Sequence, residues 1–345
     1  MKKQDMNPKV LLIYTGGTIG MVQDPQSGAW SPFDFTSLLE TMPSLRKLNV
    51  DIGTHSFSEI IDSSDMRPEY WSEIAKVIEQ NYADYDGFVV LHGTDTMSYT
   101  ASALSFMLEG LQKPVILTGS QLPIGVLRSD GKDNLINAIE IAGYKENGQA
   151  LVPEVCICFE NNLYRGNRTT KLNAENFNAF YSGNYPPLAE VGIHVKYNRH
   201  AILQQPEAHG LQVHTKLDDR VAILKIYPGI SQKIVESVLS TDGLQGLILE
   251  TYGSGNAPSV PWLKTALKRA IDSGLIVLNV TQCKAGKVEM GKYAASVELL
   301  KAGVISGEDL TTESAVTKMM VLLGSITPKS KVVELLQTSL CGEMI

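Results

Sequence analysis

Cysteine is scarce in this sequence. Four occur in 345 residues, at Cys156, Cys158, Cys283 and Cys341. They are too few and too scattered for a disulfide framework, so a reduced, cytoplasmic protein is expected. No stretch approaches the roughly 18 consecutive apolar residues of a membrane span. The apolar run that follows Met1–Lys9, Val10 to Tyr14, is too short for a signal-peptide core and runs into glycines rather than a cleavage site. A block of positive charge is also missing: 30 basic against 37 acidic residues leave a net charge of -7. Nucleic acid and anionic membrane are therefore not expected partners. Internal repeats and low-complexity tracts are absent as well.

What remains is a chain with 43 % apolar residues, ample for a core. Short β-rich runs alternate with amphipathic runs of helix length, the pattern of parallel β-α-β units. Strands are expected at Val10–Tyr14, Gly87–Leu91, Pro114–Thr118 and Val155–Phe159, with helices at Glu69–Asn81, Met97–Leu108 and Asn134–Tyr144. Ala101, Leu104, Met107 and Leu108 put the apolar residues of the second helix on one face. A second series alternates strands at Val221–Ile226, Leu247–Leu249 and Ile276–Val280 with helices starting at Gln232, Trp262, Ala294, Ser314 and Lys331. Between the two series, 198–219 has no sustained period. The expectation is two α/β domains. The larger N-terminal one (1–197) has a mainly parallel sheet flanked by helices, 198–219 is a linker, and 220–345 forms a smaller C-terminal parallel-sheet domain.

In an open parallel sheet, ligands sit outside the carboxyl ends of the strands. The segments at those ends are rich in hydroxyls and carboxylates: "TGGTIG" from Thr15, "HGTDTM" from His92, "TGSQLP" from Thr118, and "RGNRTTK" ending on Lys171. "DSSDM", from Asp62, precedes the second strand. Each alone reads most simply as capping or turn chemistry, since Ser, Thr and Asp are the usual N-caps. A phosphate loop is disfavoured, because Gly16 and Gly17 are adjacent rather than separated by one residue and no Lys-Ser/Thr pair follows. Taken together, the hydroxyls suit acyl transfer. Thr15 is a candidate nucleophile, and Gly16 and Gly17 would clear space for a substrate. A lysine is neutral at pH 7 in only about one molecule in 2500. Whether Lys171 acts as a neutral base or a charged orienter is open on the residues alone.

Taken jointly, "TGGTIG", "HGTDTM", "TGSQLP", "LRSDG" and "RGNRTTK", with "NAPSVP" and "NVTQC" later on, resemble the bacterial type I L-asparaginases. The resemblance covers nearly the whole chain. It implies hydrolysis of L-asparagine to L-aspartate and ammonia through a threonyl acyl-enzyme, with no metal or cofactor. In it Thr15 matches the nucleophile, and Thr94, Asp95 and Lys171 match a second catalytic triad. Ser63 and Ser64 match the segment that holds the substrate α-carboxylate, while Asp95 would face its ammonium group. Asn256 would reach the site from a neighbouring chain in a homodimer or a homotetramer made of two dimers. Glutamine, one methylene longer, is an alternative substrate, and a non-catalytic amino-acid sensor is a further alternative. Two departures stand out. The mobile loop after the first motif usually holds a tyrosine, but none occurs between Thr15 and Tyr70; Trp30 in that loop can donate a hydrogen bond but cannot accept a proton. Glu250 replaces an arginine used for asparagine regulation in some relatives, which argues against that control. Cys156, Cys158 and Cys283 are expected to be structural, and His92 to pack or hydrogen-bond at a strand end.

Overall fold

The computed structural model describes residues 7–23, 30–32, 42–204, 210–292 and 294–345. The chain divides into two compact units, Met1–Val213 and His214–Ile345. Both are α/β: a larger N-terminal sheet flanked by helices and a smaller, wholly parallel C-terminal sheet.

The first unit is built on β1 (Lys9–Gly16), β2 (Asp51–Ile61), α1 (Pro68–Asn81), β3 (Gly87–Leu91), α2 (Met97–Met107), β4 (Val115–Thr118), α3 (Gly131–Gly143), β5 (Val155–Phe159), β6 (Asn162–Arg165), β7 (Ala189–Val191) and β8 (Val195–Tyr197). The sheet order is β8-β7-β6-β5-β4-β3-β1-β2. Strands β2, β1, β3, β4 and β5 are parallel, and β6, β7 and β8 continue antiparallel. The central strands read as unbroken apolar runs because helices cover both faces. In β1, Val10, Leu12 and Tyr14 pack with Leu135, Ala138, Ile139 and Ala142 of α3. The alternate residues Leu11 and Ile13 are equally buried.

Two sequence expectations change here. Strand β2 was not anticipated, since DIGTHSFSEII is mostly polar and exposed. It is an edge strand, paired on one side by β1, so no continuous apolar run marks it. Helix α2 is buried far beyond the single face expected: Ser98, Thr100 and Ser102 are buried along with Ala101, Leu104 and Met107.

The parallel order 2-1-3-4-5 reverses direction between β1 and β3, and ligands of open α/β sheets gather at the carboxyl ends beside such a reversal. The sequence reading had the glycines there clearing space for substrate. Within the chain they admit neighbouring backbone. The β1–β2 register slips between Tyr14 and Gly16, so that Gly16 meets Ile61. A Cβ on Gly16 would lie 2.1 Å from the Ile61 carbonyl oxygen, and one on Gly17 2.5 Å from the Gly93 nitrogen. One on Gly93 would lie 2.3 Å from Ser63 Oγ.

The second unit comprises β9 (Val221–Lys225), α4 (Gln232–Leu239), β10 (Gly246–Thr251), α5 (Pro261–Asp272), β11 (Ile276–Thr281), α6 (Ala294–Ala302), β12 (Ile305–Ser306), α7 (Thr312–Ser325) and α8 (Lys329–Leu336). Its strands lie in chain order, all parallel. One face packs Leu247, Leu249 and Val277 against Leu263 and Leu267 of α5. The other packs Ile248, Leu278 and Val280 against Ala315 and Met319 of α7 and Val332 of α8. Lys318 and Glu343, both fully buried, form an ion pair of 2.6 Å that ties α7 to the C-terminal segment.

Gly17 has φ +92°, outside the range an L side chain adopts comfortably. Gly17→Ala is therefore expected to destabilise the protein by about 1–3 kcal/mol or more. Urea unfolding of the variant beside wild type measures it.

Candidate active site

Thr15 is the penultimate residue of β1, and strand alternation turns it to the opposite face from Tyr14. It is 1 % exposed. Its hydroxyl donates to the Leu91 carbonyl oxygen at the end of β3, 2.9 Å away. A carbonyl orients that proton but cannot carry it off. Tyr14 is held on the other side by a 3.2 Å bond to the Gly20 carbonyl oxygen. Burial pushes its phenol up to about 12.

Beyond β3 the chain passes through His92 and Gly93 to Thr94 and Asp95. Lys171 Nζ donates to Thr94 Oγ1 at 2.8 Å and to Asp95 Oδ1 at 2.6 Å, so three of the expected residues meet. Lys171 is delivered by a two-stranded hairpin in which Thr170–Lys171 pairs with Phe180–Tyr181. The 3-10 turn Gly166–Arg168 just before it packs so tightly on α2 that a Cβ on Gly166 would lie 2.8 Å from Ala101 Cβ. Arg165 anchors the start of this segment, buried and paired with Glu154 at 2.6 Å. The Asp95 carboxylate stays 62 % exposed, so a second cation has room to approach it.

Ser63 and Ser64 sit in a 3-10 turn immediately after β2. Ser63 is buried, and its carbonyl oxygen accepts from Thr96 Oγ1 at 2.7 Å, which joins this turn to the Thr94–Asp95 segment. Asp62 caps the turn by accepting from both the backbone nitrogen and the hydroxyl of Ser64, each at 2.9 Å. Those two bonds, the backbone one foremost, hold its carboxyl below the usual range.

His92 packs and hydrogen-bonds at the end of β3, as expected. It is 1 % exposed. Nδ1 lies 2.7 Å from the Gly93 carbonyl oxygen, and Nε2 lies 2.9 Å from Thr100 Oγ1, which itself accepts from Trp71 Nε1 at 3.0 Å. A carbonyl only accepts, so Nδ1 carries the proton and Nε2 accepts from the Thr100 hydroxyl. Donors thus run in one direction from α1 through α2 to the loop before Thr94. Burial lowers the imidazole to about 4.

Asn256 belongs to the second unit. It lies in a turn after β10 closed by two backbone bonds between Tyr252 and Asn256, at 2.8 and 2.9 Å. Asn279 supports that turn, accepting from Thr251 Oγ1 at 2.7 Å and donating to the Gly255 carbonyl oxygen at 3.3 Å. Asn256 Oδ1 is buried without a hydrogen-bond partner among the described residues. Glu250, on β10, accepts from Thr312 Oγ1 at 2.5 Å and lies 3.6 Å from Lys225 Nζ. Cys156 and Cys158 are core thiols, as expected, but Cys283 is exposed rather than packed, because it follows the end of β11. Backbone at Trp30 pairs with Gln23, while its side chain and residues 24–29 lie outside what the structure describes. Among the described residues no group of three or more His, Cys, Asp or Glu side chains could hold a metal ion. No helix among them is long and apolar enough to cross a membrane.

Residues 9–203 match the family described as "Asparaginase, N-terminal", and residues 220–336 match "Glutaminase/Asparaginase C-terminal domain". The chain is similar to "L-asparaginase 1" of Escherichia coli K12, 45 % identical over 340 residues and 97 % of each protein. It is also similar to the "60 kDa lysophospholipase" of Mus musculus, 42 % identical over 364 residues, covering 97 % of this chain and 62 % of that protein. Among solved structures, the L-asparaginase I of Vibrio cholerae superposes with a TM-score of 0.88 at 42 % identity, over 98 % of this chain and 99 % of that one.

The His92 imidazole supplies a pH test. In the unfolded chain its pKa is about 6.5, against about 4 when folded. Between those values the unfolded state binds more protons, so stability is complete above about pH 6.5 and falls as pH drops toward 4, by about 3 kcal/mol from this group. Urea unfolding at pH 7 and 4.5 checks it: His92→Gln should lose less stability than wild type over that interval.

Proposed function

The chain belongs to the asparaginase family, and from that premise we propose that it hydrolyses the side-chain amide of L-asparagine to L-aspartate and ammonia. The observation that carries the reading is the Thr94–Lys171–Asp95 contact, made between residues 76 and 77 positions apart in the chain. It places an ammonium, a carboxylate and a hydroxyl one strand away from the buried Thr15 hydroxyl.

In the proposed reaction Thr15 Oγ1 attacks the amide carbon. An ester bond forms, the C–N bond breaks, and the Thr15 proton goes to the leaving nitrogen as ammonia departs. Water then attacks the acyl-threonine, releasing aspartate and returning a proton to Thr15. Thr94, held by Lys171, is assigned the handling of that water's proton. Lys171 acts as the charged orienter, with Asp95 as its counter-ion. The exposed side of Asp95 suits the substrate ammonium, and Ser63 and Ser64 suit its α-carboxylate. None of these steps calls for a metal or cofactor.

We also propose that two copies complete each site, with Asn256 supplied by a neighbouring chain in a homodimer or homotetramer. Asn256 is only half-buried within its own chain, which supports this by leaving part of it open to a neighbour. A cytoplasmic location fits its four free cysteines.

Ammonia release from asparagine by the purified chain is the direct test. Thr15→Ala and Thr94→Val are expected to lower kcat by about 10³-fold or more, as removal of a nucleophile or its proton partner does elsewhere. Unchanged turnover in either variant overturns its assigned role. Glutamine, differing by one methylene, should be discriminated by only about 1–3 kcal/mol and belongs in the same assay. Sedimentation velocity should give a dimer or tetramer; a fully active monomer would overturn the shared site.

A further inference from the structure

Gln121 lies in the loop after β4, three residues beyond Thr118, and connects two parts of the site through its side chain. Its Nε2 donates to the Asn176 carbonyl oxygen at 2.9 Å and to that of Ala174 at 3.3 Å, both in the turn that follows Lys171. Two carbonyls can only accept, so they settle which end of the amide is which. The oxygen end, Oε1, then faces Thr94 Oγ1 at 3.4 Å. Since Lys171 donates to Thr94 Oγ1, the Thr94 proton needs an acceptor elsewhere, and Gln121 Oε1 offers one. At that length the bond is weak, so the hydroxyl can surrender it when another acceptor arrives.

The loop is gripped from behind. Asp130 accepts from the Gln121 backbone nitrogen with both oxygens at 3.1 Å, and from the Leu122 nitrogen at 3.2 Å. Asn134 of α3 donates to Asp130 at 3.1 Å and to the Gly119 carbonyl oxygen at 3.0 Å. A rigid anchor on α3 therefore carries a side-chain amide that spans Thr94 and the turn after Lys171.

Building on the catalytic assignment above, we propose that Gln121 is a positioning residue for the second triad. It pins the 172–179 turn so that Lys171 Nζ stays seated on Thr94, and it sets the direction of the Thr94 hydroxyl. Misplacement of a catalytic group by about 1 Å lowers rates by about 10²-fold.

The test uses the whole 345-residue chain, with wild type, Gln121→Met and Gln121→Glu assayed together for ammonia release from asparagine. Gln121→Met is expected to lower kcat by up to about 100-fold while KM stays within about threefold. Gln121→Glu supplies a readout that a merely structural role would not move. Its carboxylate cannot donate to the two carbonyls, whereas its protonated form keeps one donor, an O–H in place of the amide's two N–H groups, and one C=O acceptor. The ratio of variant to wild-type kcat should therefore rise as pH falls from about 8 to about 5, toward the carboxyl range. An active wild type with Gln121→Met within about twofold, or with a flat Gln121→Glu ratio, overturns the inference and leaves the catalytic assignment standing. Should Gln121→Met fail to fold, the pH-dependent ratio decides alone. A wild type inert on asparagine overturns the assignment, and the inference with it.

Discussion

The site rests on close approach of backbone at the ends of three adjacent strands. Gly16 lies against Ile61 of β2, Gly17 against Gly93, and Gly93 against Ser63. A side chain at any of these points would separate strand ends that now touch. With them in contact, Thr15, Ser63 and Thr94 come from three strands yet share one edge, and the Thr15 hydroxyl can reach the Leu91 carbonyl oxygen. The register slip between Tyr14 and Gly16 belongs to the same constraint, since it brings the end of β2 level with that of β1.

Behind that edge, charged side chains are buried in pairs. The Arg165–Glu154 pair is 3 % exposed on both sides. Removing one partner of such a pair is costly, because it strands the other charge in the interior. Arg165 and Arg168 also lie over the Tyr185 ring, at 4.3 and 5.2 Å. Much of the "RGNRTTK" motif is therefore scaffold that delivers a single side chain, Lys171, to Thr94 and Asp95. His92 plays a comparable part on the β3 side, its neutral ring linking α2 to the Gly93 carbonyl oxygen.

The second unit solves a simpler problem. Its four parallel strands in chain order carry helices on both faces, and its buried Lys318 finds Glu343 together with the Thr338 carbonyl oxygen at 2.7 Å. The residue proposed to serve the site, Asn256, lies in a turn shaped by Gly255 at φ +102° and braced by Asn279.

By itself the sequence determined the fold class, the main strands and helices of both units, and the hydroxyl-rich strand ends. Continuous apolar runs and helical spacing are local signals, and the motifs sit beside them. Strand β2 escaped because an edge strand needs no apolar run. The burial of α2 on several faces escaped because small polar residues such as Thr100 look exposed until a partner such as His92 is known. Only the tertiary structure decided that Gly16 and Gly17 make room for backbone and Gly93 for the Ser63 hydroxyl, since contact between strand ends 30 to 80 residues apart leaves no local mark. It also decided that Lys171 meets Thr94 and Asp95 rather than solvent, and that Gln121 stands beside them. Those meetings depend on strand order and turn geometry, which no window of sequence contains.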